Sequence, residues 1–179
     1  MRQFHKYQMK PAFEERMKNL LPDEKDFQKF SEIIHIDAKN FVRCNTIKIS
    51  PDELLKKLKR KWEVKQPFSN HPEIFLIESN LLPGELGNSI EHILGYYYIQ
   101  EISSMLSVLA LDPQPGELIL DLCASPGSKT TQIAAKMENR GTIIANDFKI
   151  DRIRILVSNL EKCGVTNTII TRKDAISFC

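Results

Sequence analysis

The chain has 179 residues, 42% of them hydrophobic, and a net charge of +2, which together indicate a globular protein of one or two small domains. No apolar run approaches the roughly 18 residues of a membrane span, and the N-terminus leads into no secretory apolar core, so the sequence predicts a cytoplasmic protein with no membrane partner. The four cysteines, Cys44, Cys123, Cys163 and Cys179, form no C-x-x-C pair, so neither a metal site nor a disulfide framework is predicted.

The charge is unevenly distributed along the chain. Residues 1–70 contain 16 Lys and Arg against 10 Asp and Glu, a net charge of +6, whereas residues 71–179 contain 9 against 13, a net charge of −4. A basic first half suits an enzyme that acts on a polyanion. The alternative is a solvated helical surface that binds no nucleic acid.

The first 80 residues alternate between helix and strand patterns. Helical spacing of apolar residues covers residues 10–35, with a break at Pro22, and an alternating strand pattern covers residues 41–49. Ser50 begins a helix that turns leucines inward, and residues 73–77 form another strand. The outer face of that helix carries five basic residues, which either contact an RNA backbone or are merely solvated: Lys56, Lys57, Lys59, Arg60 and Lys61.

Residues 81–84, Leu-Leu-Pro-Gly, are a predicted link to a second domain. Three adjacent tyrosines follow at residues 96–98, and they either stack on bases or pack inside the protein; packing is the favoured interpretation. The next apolar segment contains Met105 and Leu109 at helical spacing and predicts a helix that covers the first strand of the second domain.

Residues 117–130 form the stretch around which the second half is organised. The apolar run 118–122 follows Pro115-Gly116 and predicts a strand buried on both faces of a parallel sheet. It ends in a small-residue turn at residues 124–127, after which helical spacing resumes. A strand, a small-residue turn and a helix together place backbone N–H groups and a helix N-terminus against a ligand, so a nucleotide-like cofactor is predicted.

The spacing narrows the choice of cofactor. The sequence does not match a phosphate-binding Walker loop, because Ser128 rather than Gly precedes Lys129. It does not match the dinucleotide-binding motif either, because that motif needs three glycines and the loop contains only Gly127. Asp147 ends a second apolar strand about 20 residues past the loop, where an acid accepts hydrogen bonds from ribose hydroxyls. A ribose acid without a phosphate loop favours S-adenosylmethionine, and the alternative is an ordinary structural turn between strand and helix.

After Asp147, helical spacing continues over residues 150–162 and Gly164 suits the helix end. Arg152 near the start of this helix either packs over the ligand or pairs with Asp147 or Asp151. A third strand, residues 168–171, leads to Asp174, which on its own would indicate only a turn.

The literal motifs resemble those of the NOL1/NOP2/Sun (RsmB/RsmF-like) family of RNA (cytosine-5)-methyltransferases. The similarity is carried by residues 121–132, Asp-Leu-Cys-Ala-Ser-Pro-Gly-Ser-Lys-Thr-Thr-Gln, and extends to residues 95–101, to Asn146-Asp147 and to residues 163–167. Residues 43–48, Arg-Cys-Asn-Thr-Ile-Lys, are similar to the R-x-N-T-x-K element of the family. The resemblance covers roughly residues 40–175.

The resemblance implies an α/β fold: a Rossmann-like methyltransferase sheet, incomplete and represented by its first three strands, preceded by a small α+β RNA-recognition-like domain. The predicted domains are residues 1–82 and 83–179. Backbone groups from residues 123–129 would surround the methionine part of S-adenosylmethionine, Asp147 would hold the ribose and Asp174 the adenine. The predicted cofactor residues are Cys123, Ala124, Ser125, Pro126, Gly127, Ser128, Lys129, Asp147, Arg152 and Asp174, and the R-x-N-T-x-K element adds Arg43, Asn45 and Lys48 to the predicted RNA-binding residues.

Family members methylate C5 of cytosine in tRNA or rRNA by means of a cysteine nucleophile. They carry Asp-Ala-Pro-Cys and Ser-Thr-Cys motifs, and neither occurs in this sequence. We therefore predict no catalytic cysteine here and expect a truncated sequence, one half of a split enzyme completed by a separate C-terminal half, or a degenerate relative. The rival hypothesis is a catalytically inactive RNA-binding or partner-binding protein that retains the methyltransferase fold.

Overall fold

The structure of this protein is a computed structural model that describes residues 9–35 and 39–178. The chain divides into two compact units, residues 1–38 and residues 39–179. The first unit contains α1 (Pro11–Leu20) and α2 (Glu24–Ile33), on either side of the predicted break at Pro22. Asp23 caps α2 by accepting a hydrogen bond from the backbone N–H of Lys25 at 2.8 Å.

The second unit begins with an antiparallel sheet in the order β2-β3-β1-β4. Its elements are β1 (Asn40–Cys44), α3 (Pro51–Leu58), β2 (Val64–Lys65), β3 (Ile74–Ile77), α4 (Ile90–Ile93) and β4 (Tyr97–Ile99). Leu54 and Leu58 of α3 are fully buried with Val42 and Phe75 of the sheet. The predicted strand, helix and strand are therefore present, while classification of this module as RNA-recognition-like remains a prediction.

Two features of this module differ from the sequence predictions. The strand predicted over residues 41–49 ends at Cys44, because the N–H groups of Lys48 and Ile49 both turn back onto the carbonyl oxygen of Asn45. The sheet also takes its fourth strand, β4, from beyond residue 82, with Val42 opposite Ile99. The predicted domain boundary between residues 82 and 83 itself stays a prediction.

The rest of this unit is an α/β arrangement with a parallel sheet in the order β5-β6-β7. Its elements are α5 (Ile102–Leu111), β5 (Leu118–Asp121), α6 (Ser128–Lys136), β6 (Thr142–Asn146), α7 (Ile150–Cys163), β7 (Thr168–Thr171) and a 3₁₀ turn (Ala175–Ser177). Gly164 ends α7 in the left-handed conformation, as predicted. No helix in the described residues is long and apolar enough to span a membrane.

Among the described residues of the second unit, helices cover the parallel sheet on one face only. Ile119 and Ile143 pack with Val108 of α5 and with Ile133 of α6 on the covered face. On the other face Leu118 is 70% exposed, and Leu120 and Ile169 are also exposed. The prediction that β5 is buried on both faces is therefore wrong for this chain, because among the described residues β5 pairs with β6 alone and no helix covers its second face.

Candidate cofactor site

A cavity of about 410 Å³ opens at the carboxyl ends of the three parallel strands. Its wall includes four of the predicted cofactor residues, Cys123, Asp147, Arg152 and Asp174. Ligands of open parallel sheets bind at this edge, and the volume lies within the range of small-molecule sites. The structure thus brings together the residues that follow β5, β6 and β7.

The turn between β5 and α6 is held by its own backbone groups. The N–H of Ala124 donates to the carbonyl of Asn146 at 2.8 Å, that of Ser125 to Asp147 Oδ2 at 3.3 Å, and that of Gly127 to the carbonyl of Ala124 at 2.7 Å. These three N–H groups therefore shape the turn, and the expectation that backbone groups of residues 123–129 surround the methionine part of the cofactor stays a prediction. Of this stretch, Cys123 lines the cavity; Ala124, Ser125, Pro126, Gly127, Ser128 and Lys129 do not.

Gly127 has a structural reason to be glycine. Its φ of +105° lies in the left-handed region, where a side chain is strained. A Cβ at this position would also lie 3.1 Å from Leu156 Cδ1 of α7. Glycine therefore allows α6 to start sharply against α7.

Asp147 is almost completely buried and heavily hydrogen-bonded. Its carboxylate accepts from the N–H groups of Ser125 and Lys149 and from Arg152 Nε, which lies 3.1 and 3.2 Å from the two oxygens. Arg152 also donates to the carbonyl of Ser125 at 2.6 Å. Of the three alternatives for Arg152, pairing with Asp147 is the one that the structure shows.

The protonation of Asp147 follows from these contacts. Burial alone would raise the pKa of the carboxyl, but hydrogen bonds from Lys149 N–H and Arg152 outweigh it and hold the pKa below its ordinary value. The ionised form therefore contributes stability above the pKa of an unfolded Asp, about 3.9, and that contribution is lost as the pH falls through the lower folded pKa. At neutral pH the site presents an ionised acceptor.

Asp174 lies in the same cavity wall, where the chain leaves β7. Its Oδ1 accepts from the N–H of Ile176 at 3.0 Å and so caps the 3₁₀ turn. Phe148, for which no role was predicted from the sequence, also lines the cavity and is 61% exposed. Its position directly after Asp147 was the available signal. An aromatic face at this place can stack on a flat ring.

Asn146 joins the ends of all three parallel strands; it belongs to the motifs that carry the family resemblance, but no role was predicted for it. Its buried side chain donates to the carbonyls of Leu122 and Lys173, at 3.0 and 2.9 Å, and accepts from Lys173 N–H and Thr171 Oγ1. Four hydrogen bonds from one amide fix the rim of the cavity. No sequence period marks such a residue.

We expect Asn146→Ala to lower the free energy of unfolding by about 2–3 kcal/mol, because it leaves several buried polar groups without partners. Urea unfolding followed by circular dichroism measures this. Asn167→Ala is the matched control, since the side-chain amide atoms of Asn167 are buried with no hydrogen-bond partner among the described residues. Equal losses from the two variants would contradict the role of Asn146.

Two side chains of the R-x-N-T-x-K element, those of Arg43 and Asn45, are buried against protein partners. Arg43 is 2% exposed, and its guanidinium donates to Gln100, Ser128 and Thr131. Asn45 is also 2% exposed, and its amide donates to the carbonyls of Gly95 and Cys163. Direct RNA contact by these two side chains, as predicted, is contradicted because their polar groups face protein partners.

Lys48 of the same element is engaged at a helix end. Its Nζ donates to the carbonyls of Leu94, at 3.0 Å, and Lys162, at 2.6 Å. Lys162 lies in the last turn of α7, where exposed carbonyls and the negative end of the helix dipole favour a cation. The structure therefore gives Lys48 a capping role, and because the residue is exposed, its predicted RNA contact stays a prediction.

The basic face of α3 remains accessible. Lys56, Lys57, Lys59, Arg60 and Lys61 are all exposed, and these five residues are called the basic face of α3. Only Lys56 and Lys57 lie in the helix itself; the other three follow its last residue, Leu58, so the prediction that the helix carries all five is wrong. Lys61 is partly committed, because its Nζ pairs with the buried Glu91 at 2.6 Å. Tyr97 and Tyr98 are buried, which confirms packing rather than base stacking for these two residues.

The described cysteines differ in their surroundings. Cys44 and Cys163 are buried, and burial raises the pKa of the Cys44 thiol to about 12, which makes it inert. Cys123 is exposed in the cavity wall, and Cys179 lies outside the described residues. Within the described part of the chain, no three His, Cys, Asp or Glu side chains are grouped to hold a metal ion.

Two family models match nearly all of the chain. The model of the N-terminal domain of 16S rRNA methyltransferase RsmF matches residues 9–102, and that of 16S rRNA methyltransferase RsmB/F matches residues 108–178. The chain belongs to the RsmB/RsmF family of rRNA methyltransferases. The resemblance to this family predicted from the motifs is thereby confirmed.

Individual RsmF relatives and solved structures agree with this family. Ribosomal RNA small subunit methyltransferase F of Erwinia tasmaniensis is 42% identical over 94% of the chain, and that of Psychromonas ingrahamii is 40% identical over 97%. The chain spans 36% and 37% of these two relatives. A methyltransferase homolog from Pyrococcus horikoshii is 30% identical with a TM-score of 0.75, over 94% of this chain and 58% of that structure.

The Rossmann-like fold of this RsmB/RsmF family member is also seen at lower sequence identity. NSun6 from Pyrococcus horikoshii superposes with a TM-score of 0.80 at 20% identity, over 92% of this chain and 65% of that structure. The predicted Rossmann-like methyltransferase sheet is therefore confirmed at the level of the fold.

Proposed function

We propose that this chain supplies the cofactor-binding and RNA-binding parts of an S-adenosylmethionine-dependent RNA (cytosine-5)-methyltransferase, with rRNA of the small ribosomal subunit as the favoured substrate over tRNA. The observation that carries the proposal is the cavity at the carboxyl ends of β5, β6 and β7, whose wall holds Asp147 and Asp174 together. The names of the RsmF relatives support the choice of rRNA, and the choice of C5 rests on the motif resemblance. The cytoplasmic location of the protein also remains a prediction.

In this proposal, different residues of the cavity bind different parts of the cofactor. Asp147 accepts hydrogen bonds from the ribose hydroxyls as an ionised, preoriented carboxylate, and Asp174 accepts from the adenine amino group. Phe148 packs on the adenine ring, and Arg152 keeps Asp147 and the carbonyl of Ser125 in place. S-adenosylmethionine, when bound, supplies an electrophilic methyl group on its sulfonium.

The proposal places the cysteine chemistry outside these 179 residues. The Asp-Ala-Pro-Cys and Ser-Thr-Cys motifs are absent from the sequence, and Cys123 of the described residues belongs to the cofactor turn. We assign the catalytic cysteines to further polypeptide, such as a separate C-terminal half. The exposed side chains of Leu118, Leu120 and Ile169 are available for such a half to cover.

Calorimetric titration of the purified chain with S-adenosylmethionine tests the proposed function. One-site binding is expected. A folded chain, shown by its circular dichroism, that binds no cofactor would contradict the proposal and favour the inactive RNA-binding or partner-binding alternative.

The basic face of α3 is proposed as the RNA-backbone contact. We expect the triple variant Lys56→Gln, Lys59→Gln, Arg60→Gln to reduce the slope of log affinity against log salt by about 2, since each lost contact with single-stranded RNA removes about 0.7. Fluorescence anisotropy with a labelled single-stranded RNA, over a series of KCl concentrations, measures the slope. Lys61 is left unchanged because it pairs with Glu91.

A control removes the same amount of positive charge from three exposed cations elsewhere in the same unit, each of which pairs with a carboxylate, as Lys65→Gln, Arg140→Gln, Arg154→Gln. Its slope is expected to stay within experimental error of that of the unmodified chain. If both triple variants lose the same amount, the binding is a general effect of net charge and the α3 face is not the contact.

A further inference from the structure

Arg43 carries a buried charge that the proposed cofactor contacts do not use. Its guanidinium donates to Gln100 Oε1 at 2.5 Å, to the carbonyl of Ser128 at 2.8 Å and to Thr131 Oγ1 at 2.8 Å. All three acceptors are neutral, and burial lowers the pKa of Arg43 to about 10. A buried cation held only by neutral groups costs stability, so its position calls for a specific explanation.

The acceptors of Arg43 lie at the start of the helix that follows the cofactor turn. Ser128 is the first residue of α6, and Thr131 is in the same turn of the helix. The preceding turn holds Ser125, whose N–H and carbonyl contact Asp147 and Arg152 of the cavity. The start of α6 and the proposed ribose-binding carboxylate of Asp147 are therefore connected through the turn that contains Ser125.

The other side of Arg43 is fixed by the antiparallel sheet. Arg43 belongs to β1, and Gln100 follows the adjacent strand β4. The guanidinium also lies 5.7 Å from the centre of the Tyr98 ring. Gln100 continues the network by donating to Gln132 Oε1 of α6 at 3.0 Å. The first turn of α6 is thus attached to two strands of the other sheet through one side chain.

We propose that Arg43 is a positioning residue for cofactor binding, which holds the first turn of α6 and thereby the turn before it in the geometry that the cofactor requires. This inference rests on the proposed function, because it assumes that the cavity beside this turn binds S-adenosylmethionine. The planar fork of an arginine reaches the two acceptors on α6 and Gln100 at once, and the ammonium of a lysine lacks that fixed geometry.

Arg43→Lys tests the proposal because it keeps a positive charge and removes the fork. Asn45→Ala is the matched control: Asn45 lies two residues away, is equally buried, and loses two hydrogen bonds to the carbonyls of Gly95 and Cys163 instead. Both variants are expected to be less stable in urea. Only Arg43→Lys is expected to weaken S-adenosylmethionine binding, by about tenfold or more in calorimetry, whereas Asn45→Ala changes it by less than about threefold.

Hydrogen exchange measures the positioning effect without any cofactor. The N–H of Gly127 bonds to the carbonyl of Ala124, and the N–H of Thr131 to that of Gly127, so both amides report on the turn. Their exchange is expected to accelerate about tenfold more in Arg43→Lys than in Asn45→Ala. Equal acceleration in both variants, or unchanged cofactor affinity in Arg43→Lys, would overturn the proposal.

The two proposals fail in different ways. If the unmodified chain binds no S-adenosylmethionine, the proposed function fails, and the exchange of Gly127 and Thr131 still decides whether Arg43 holds the turn. Should Arg43→Lys not fold, Thr131→Val replaces it, because it removes one acceptor of Arg43 at nearly constant volume. Thr131→Val is expected to accelerate exchange at Gly127, and unchanged exchange would overturn the positioning role.

Discussion

Asp147→Ala is expected to abolish S-adenosylmethionine binding, with the dissociation constant raised by about 100-fold or more. The carboxylate is the proposed acceptor for the ribose hydroxyls, and charge-assisted hydrogen bonds contribute about 1.5–3 kcal/mol each. Its removal also leaves the N–H groups of Ser125 and Lys149 and the side chain of Arg152 without their acceptor. The affinity for the cofactor therefore falls for two reasons: the ribose contact is lost, and the turn that contains Ser125 is held less firmly. Calorimetric titration of the variant beside the unmodified chain measures it.

Asp151→Ala is the control for this loss. Asp151 also lies at the start of α7, but it is exposed and pairs only with Arg154, at 3.3 Å. Its removal is expected to leave cofactor affinity unchanged within about twofold, as for an exposed ion pair. The assignment of Asp147 would be wrong if Asp147→Ala, still folded, bound the cofactor within about threefold of the unmodified chain.

The parallel sheet could be predicted well from the sequence because each strand is a short apolar run between turn residues. The run at residues 142–145 covers β6 except for its last residue, the run at residues 168–171 matches β7, and Asp147 and Asp174 follow them as the topology of a parallel sheet requires. Only the burial of β5 was wrong. Its apolar run fits a central strand, and the exposure of Leu118 depends on which other strands and helices surround it, which the run itself does not record.

The partners of Arg43 and Lys48 in the R-x-N-T-x-K element could not be predicted from the sequence. Arg43 and Lys48 are basic residues in a basic half of the chain, and net charge favoured RNA as their partner. Their actual partners lie between 46 and 114 residues later, and they include the first turn of α6 for Arg43 and the last turn of α7 for Lys48. No local sequence pattern marks a lysine that caps a helix C-terminus or an arginine in a buried network of neutral groups. Only the tertiary fold therefore distinguishes these two residues from the exposed lysines of α3.

Gly95 packs so closely against the backbone at the end of α7 that we expect Gly95→Ala to lower the stability of the protein strongly. Gly95 has a φ of +72°, and a Cβ there would lie 2.1 Å from the carbonyl oxygen of Lys162 at the end of α7. The same carbonyl accepts from Lys48, and the carbonyl of Gly95 accepts from Asn45. A methyl group would push these backbones apart and break both contacts. We expect the free energy of unfolding to fall by about 3–5 kcal/mol, well above the cost of backbone strain alone.

Gly116→Ala separates the clash from the strain. Gly116 has a φ of +96°, in the same left-handed region, but a Cβ there meets no atom within 4 Å. Its substitution is expected to cost about 1 kcal/mol, from backbone strain. Urea unfolding of the unmodified chain, Gly95→Ala and Gly116→Ala at one temperature measures how much each substitution lowers the free energy of unfolding. Similar losses at the two glycines would show that conformation alone matters, and that the attachment of the antiparallel sheet to α7 at Gly95 tolerates an added methyl group. A clearly larger loss at Gly95 than at Gly116 would establish that attachment as a close backbone contact, with Asn45 and Lys48 bound on its two sides.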